Sequence, residues 1–339
     1  MRKFAVLAAV AALTLGATAV LRAAADIPAW AYAIPPAPPA GAPAAAPAPA
    51  DNSLKSIPGT TKQFTRAQIG GREGGPADWF PEDHGTMPPV VAMGRMPVTT
   101  ACSLCHYPNG KGRQENASVS GLPVSYFLQQ LNDFRSDVRK SAEPRKANAV
   151  RMAQIAKSMT PEEMKQAAEY FGAIKWTPWI RVVETNTVPK VKSNGGIWVP
   201  LEGAEAGKEP IAGRVIETPE NPERTEVMRD PRSGFIAYVP VGSVKKGEAL
   251  VKTGGNGKTV ECGACHGADL LGLGPVPGIA GRSPSYLARQ LYDMQTGARM
   301  GEWTQLMKPV VAKLTSEDLV NIVAYVSGRP VNGTANATK

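Results

Sequence analysis

Cys102-Ser-Leu-Cys105-His106 and Cys262-Gly-Ala-Cys265-His266 are the two stretches that decide how this chain is read. They use all four cysteines of the 339-residue sequence and two of its three histidines. Cysteines three apart on a helical turn can reach the two vinyl groups of one porphyrin as thioethers, and the adjacent histidine then points its imidazole at the iron. A zinc ribbon would separate its cysteine pairs by about 15–20 residues, whereas these pairs lie 160 apart. Disulfides would leave both histidines unexplained, and a thioredoxin-like redox motif does not need a trailing histidine twice. The expectation is therefore two covalently bound haem c groups. Cys102, Cys105, Cys262 and Cys265 form the thioethers, and His106 and His266 are axial ligands of iron.

The amino terminus agrees with that chemistry. Arg2 and Lys3 precede an apolar run from Phe4 to Leu21, and Ala23-Ala24-Ala25 offers small residues for cleavage. This layout predicts a signal peptide over 1–25 and export to the periplasm. The run approaches spanning length, so the alternative is an uncleaved anchor that gives membrane association. Haem c is attached on the exported side, where unfilled cysteine pairs tend to oxidise.

Removing Arg2, Lys3 and Arg22 with the signal lowers the formal charge from +9 to +6. Two propionates on each haem would bring the protein close to balance. No basic run exceeds two residues, so no nucleic-acid partner is expected. Lys and Arg outnumber Asp and Glu by 11 to 7 over 101–180, which reads either as solvated surface or as a face for an acidic redox partner.

An internal repeat joins the two motifs. At an offset of 160, Gly121, Ser125-Tyr126, Gln130-Leu131, Asp133 and Arg139 match Gly281, Ser285-Tyr286, Gln290-Leu291, Asp293 and Arg299. At an offset of 155, Met152, Thr160 and Tyr170 match Met307, Thr315 and Tyr325. Apolar side chains at Phe127, Leu131 and Phe134, and at Leu287, Leu291 and Met294, fall on one helical stripe in each copy. Thr160-Pro-Glu-Glu163 has the form of a capping box with proline at the first helical position, and Thr315-Ser-Glu-Asp318 is its counterpart. The fold expected is mainly α. A Pro/Ala-rich tether and coil occupies 26–94, and haem domains occupy 95–180 and 242–330. A connector of irregular chain and short β pieces covers 181–241, and 331–339 is a tail.

The sixth position on each iron decides between catalyst and carrier. Met152 and Met307 are the candidates, 47 and 42 residues after the second cysteine of their repeats and just before the capped helix. A thioether there raises the potential and blocks oxygen or peroxide, which favours electron transfer. The third histidine, His84, is expected on the surface, with a distal haem contact as the sharper reading. Met87, Met93 and Met96 are lesser rivals to Met152.

These residues carry a family resemblance. Cys262-Gly-Ala-Cys-His-Gly267, Pro277-Gly-Ile-Ala-Gly281, Tyr286-Leu-x-x-Gln-Leu291, Gly297-Ala-Arg299 and Met307 together resemble the class I cytochrome c fold. In detail they are similar to tandem di-haem class I c-type cytochromes of bacterial periplasms. The resemblance is strong over 242–330 and weaker over 95–177. It implies that the Pro277 carbonyl orients His266, and that Tyr126, Tyr286, Arg139 and Arg299 lie in the haem environment. Ala117 stands where the first repeat would carry the proline, which leaves the orientation of His106 open.

The function expected is single-electron transfer, without catalysis, between a donor dehydrogenase and an acceptor oxidase or second cytochrome. The alternatives are a di-haem peroxidase and a cytochrome subunit held permanently on a dehydrogenase. The first repeat lacks the proline and has a longer charged loop, Arg139 to Arg151, so its haem is expected at the lower potential.

Overall fold

A computed structural model of the chain describes residues 26–37, 41, 51–71 and 74–331. The signal segment, most of the Pro/Ala-rich run and nearly all of the tail lie outside the described residues. Among the described residues, the helices that build the two motif-bearing units are these. In the first unit they are α1 (Cys102–His106), α2 (Val124–Arg135), α3 (Ala147–Ser158) and α4 (Pro161–Ala173). In the second they are α5 (Ser243–Thr253), α6 (Gly263–His266), α7 (Pro284–Thr296), α8 (Thr304–Val311) and α9 (Ser316–Ser327). Beyond the α-helical units, three strands form one sheet: β1 (Ile180–Glu184), β2 (Ile216–Pro219) and β3 (Phe235–Val239).

The final helix of each unit starts where its cap dictates. Thr160 accepts from the Glu163 amide at 3.2 Å, and Glu163 accepts from the Thr160 amide at 2.7 Å. Thr315 and Asp318 make the same reciprocal pair at 3.3 and 2.7 Å. Each box supplies partners for amides that the first turn of a helix leaves unpaired.

The two units close differently. In the second, α5 crosses α9 so tightly that a Cβ at Gly247 would sit 1.9 Å from the Asn321 carbonyl oxygen. The first has no long leading helix among its described residues. The single turn Pro89–Ala92 takes that place and buries Val90 and Val91 beside Phe127, Leu131 and Phe171. The first core therefore begins upstream of residue 95.

The 181–241 segment is more ordered than a connector with scattered short strands. β3 pairs parallel with β1 (Ile180 opposite Phe235) and antiparallel with β2 (Ile216 opposite Tyr238), so it lies at the centre. One face of the sheet buries Ile180, Val182, Phe235 and Ala237 against Val320, Val323 and Ala324 of α9 and Ala288 of α7. Ala31 and Tyr32 join that core. Tyr32 donates to Asp293 at 3.3 Å, and Arg289 donates to the Ala31 carbonyl at 2.5 Å. The start of the 26–94 segment thus packs on the second unit, while its later part, with Ile57, Ile69, Trp79 and Phe80, forms a small core of its own.

Candidate haem sites

Both motifs occupy short helices at the floor of apolar clefts of about 1340 and 1510 Å³, solvent at the mouths included. Cys102 and Cys105 lie on α1, and Cys262 caps α6, which carries Cys265. All four thiols are free. Burial raises the Cys102 thiol to about 12 and the Cys262 thiol to about 11, with each neighbouring cysteine adding to the effect. These are poor surroundings for thiolate metal ligands. No metal-binding cluster of His, Cys, Asp and Glu occurs among the described residues.

The histidines are set for one job. His106 Nδ1 lies 2.8 Å from the Ala117 carbonyl oxygen, and His266 Nδ1 lies 2.7 Å from the Pro277 carbonyl oxygen. A carbonyl can only accept, so each Nδ1 carries the proton and donates it, which leaves the Nε2 lone pair free. Burial lowers both imidazoles below the ordinary histidine value and keeps them neutral. The doubt raised by Ala117 is thereby removed. The main-chain oxygen does the orienting, so alanine serves as well as proline.

Met152 on α3 and Met307 on α8 each line the cleft of their own unit. Two methionines not singled out in the sequence stand beside them: Met159 in the first cleft and Met294 in the second. His84 is neither on the surface nor in the first cleft. Its side chain is 4% exposed, sits near Asp78 at 3.3 Å and packs edge-on to Tyr170. Its pKa is raised because the Asp78 and Gly85 contacts outweigh burial. Met93 and Met96 are exposed, and Met87 packs against the first core without lining the cleft.

Tyr126, Tyr286, Gln130 and Gln290 line both clefts, so the two share a wall. Two arginines cross it. Arg139 and Arg299 face each other in an antiparallel bridge. Arg139 donates to Tyr286 at 3.1 Å and Gln290 at 2.9 Å in the other unit, as well as to Gln130 at 2.8 Å. Arg299 mirrors it, donating to Tyr126 at 3.0 Å, Gln130 at 2.7 Å and Gln290 at 3.0 Å. Burial would raise the Tyr126 hydroxyl, but the two guanidiniums outweigh it and the net shift is downward. The family resemblance implies these four residues beside the porphyrin edge. It does not predict that each arginine serves the opposite unit. Nor does it reveal Arg282, which ties Ser118 and Ser120 carbonyls of the first unit to the second at 2.9 and 3.1 Å. No residue pattern marks Lys146 or Arg289 either, although both stand on the first cleft wall.

The donor set fits haem c. Each cleft joins two thiols, an imidazole with a free Nε2 and apolar walls, and the buried Arg299 Nε has no partner among the described residues. Comparison with known proteins agrees. Residues 91–175 match the family described as cytochrome c. Cytochrome c-554(548) of Halomonas halodenitrificans is 38% identical over 76 residues, which is 22% of this chain and 92% of that protein. The chain belongs to the class I c-type cytochromes. Cytochrome c4 of Pseudomonas aeruginosa is 37% identical over 92 residues, 25% of this cytochrome and 44% of that one. A protein named thiosulfate dehydrogenase electron acceptor, from Stutzerimonas stutzeri, is 32% identical over 87 residues, 25% of this chain and 39% of its own. The alignments thus span less than half the length of these last two relatives. Two attachment motifs and the cytochrome c4 relatives put this cytochrome with the tandem di-haem members of the family.

Proposed function

We propose that this cytochrome is a duplicated haem domain that carries two haem c groups and passes single electrons in the periplasm. Its partners on this reading are a donor dehydrogenase and an acceptor oxidase or second cytochrome. Bound haem supplies the one-electron chemistry. The protein's residues set its terms. Cys102 and Cys105, and Cys262 and Cys265, hold each group in place. His106 and His266 present Nε2 to the iron, locked in one tautomer by the carbonyls behind them. Met152 and Met307, each on the wall of its own cleft, would supply the thioether ligand to the iron and so exclude small oxidants. Tyr126, Tyr286, Arg139 and Arg299 surround the haem edges, with Pro277 supplying the carbonyl behind His266.

The shared wall of the two clefts is the observation that carries this reading. Two redox groups separated by a single layer of tyrosine and glutamine side chains are suited to relay, and a peroxidase would need one iron left open. A relative named as an electron acceptor for a dehydrogenase lends support. No described helix is long and apolar enough to cross a membrane. The test is a pyridine haemochrome assay on purified protein together with spectra of the ferric state. Two haems per chain, a methionine-to-iron charge-transfer band from both and no peroxide turnover are expected. One haem, or peroxide turnover, refutes the proposal.

A further inference from the structure

Among the described residues, Lys146 is a cation on the wall of the first cleft that is buried and yet has none of its donors spent. The residue is 5% exposed, and its Nζ is buried with no hydrogen-bond partner among the described residues. Its neighbours on that wall are committed. Arg139 is engaged with Gln130, Tyr286 and Gln290. Arg289 gives Nη1 to the Ala31 carbonyl and Nη2 to the Gln114 carbonyl at 2.8 Å. The other charged groups around Lys146 are Glu115 and Arg113 on the loop after the first motif and Asp293 on α7. Glu115 pairs Oε1 with Arg113 at 2.5 Å, and its Oε2, though buried, makes no hydrogen bond to Lys146. A buried ammonium without a counter-ion costs several kcal/mol.

We propose that Lys146 binds a carboxylate of the haem in the first cleft and raises that haem's reduction potential. The inference rests on the two-haem reading above. The lining of the first cleft includes Lys146 with Asn116, Asn148 and Arg289 as well as the apolar Phe127, Leu131, Ile155 and Phe171; Asn148 donates to Asn116 at 2.9 Å, and Arg289 is near enough to act on the Lys146 charge. The acid groups of a porphyrin belong beside polar side chains with donors to spare. Burial, increased by Arg289 and opposed by Glu115, lowers the ammonium to about 7. A carboxylate beside it reverses that shift and keeps the charge in place. Ferric iron carries one more positive charge than ferrous, so a fixed ammonium nearby favours the reduced state. The second repeat has no equivalent. Of the two arginines on the second cleft, Arg282 is spent on three backbone carbonyls and Arg299 donates to Tyr126, Gln130 and Gln290. Lys146 therefore opposes the lower potential that the longer loop suggests for the first haem.

The test is a redox titration of holoprotein carrying Lys146→Gln or Lys146→Arg, each first confirmed to hold two haems. One unit charge at a distance on the order of 10 Å in an effective dielectric of ~20 changes the ferric/ferrous ratio by roughly tenfold. That corresponds to about 59 mV for one electron. Lys146→Gln should lower one wave by about that amount, the same wave that Met152→Ala disturbs, and Lys146→Arg should restore most of it. Two unmoved waves in a two-haem Lys146→Gln protein overturn the proposal, as does an equal loss in Lys146→Arg. If Lys146→Gln fails to fold, the pH titration of the Lys146 Cε resonance in the wild-type holoprotein decides. A charge kept above pH 9 supports the carboxylate pair, and titration near 7 refutes it. A haem count below two refutes the two-haem reading instead.

Discussion

Gly247→Ala is expected to destabilise this cytochrome, against the ordinary rule for helices. Gly247 lies in the middle of α5 and is buried against α9. In an exposed helix the exchange would stabilise by up to about 1 kcal/mol, because alanine has the higher propensity. Here the added Cβ falls 1.9 Å from the Asn321 carbonyl oxygen, 2.7 Å from its carbon and 2.8 Å from the Tyr325 Cβ. None of these atoms is the free end of a flexible side chain. The helices must separate by more than an ångström, which opens the packing around Leu319, Ile322 and Val326. Overpacking of this kind costs about 1–3 kcal/mol. After the propensity gain the net loss should be about 1–2 kcal/mol, or roughly 2–8 °C in Tm. Thermal unfolding of the holoprotein followed by far-UV circular dichroism measures it. A Gly247→Ala protein that melts at or above the wild-type temperature refutes the close crossing of α5 and α9.

Other outcomes follow from the site. Met152→Ala should remove the charge-transfer band and shift the wave of one haem alone, and Met307→Ala those of the other; spectroelectrochemistry checks both. If Met152→Ala changes neither, Met159, on the same cleft wall, is the next residue to exchange. Arg139→Met and Arg299→Met should each cost about 2–4 kcal/mol. Both arginines donate to Gln130 and Gln290. Chemical denaturation of the double variant should therefore show a coupling of about 0.5–3 kcal/mol, and strict additivity would contradict the crossed network. Glu217 is fully buried, and burial holds its carboxyl above the usual range even though Ser283 and Ser285 donate to it. A carboxyl raised in the folded state adds stability that is complete below its unfolded pKa and is lost as pH rises through the folded one. Stability should thus decline upward from the ordinary glutamate range. Glu217→Gln should remove that part of the decline, as urea unfolding over a pH series would show.

The chemistry of this protein is local, and so most of it is legible in the sequence. Cys-x-x-Cys-His needs one helical turn, and the capping boxes need four residues, so the written order of residues already contains their geometry. The candidate methionines are found because the repeat aligns them. What escapes is whatever depends on residues far apart meeting. β3 enters the centre of its sheet between strands that precede it, and no short-range pattern marks that pairing. Lys146 looks like any loop lysine until its surroundings are known. His84 looks like a surface histidine because its partners Asp78 and Tyr170 come from the segment before it and from α4. The proline missing at 117 suggested a defect where there is none, because a side-chain pattern cannot report what a carbonyl does.

Tyr32 has a bearing on the order in which the molecule comes together. Its hydroxyl meets Asp293, 261 positions later, and Arg289 takes the carbonyl next to it. Neither partner exists until nearly the whole chain has been made and α7 has formed, and such distant closures are slow. The same stretch of α7 and its neighbours Tyr286 and Gln290 wall off one side of the first cleft. A chain emerging amino terminus first can thus gather α1 to α4 around their own core while that side of the cleft still faces solvent. The second unit closes it, and the segment around Tyr32 fastens last, like a latch thrown once both compartments have been filled.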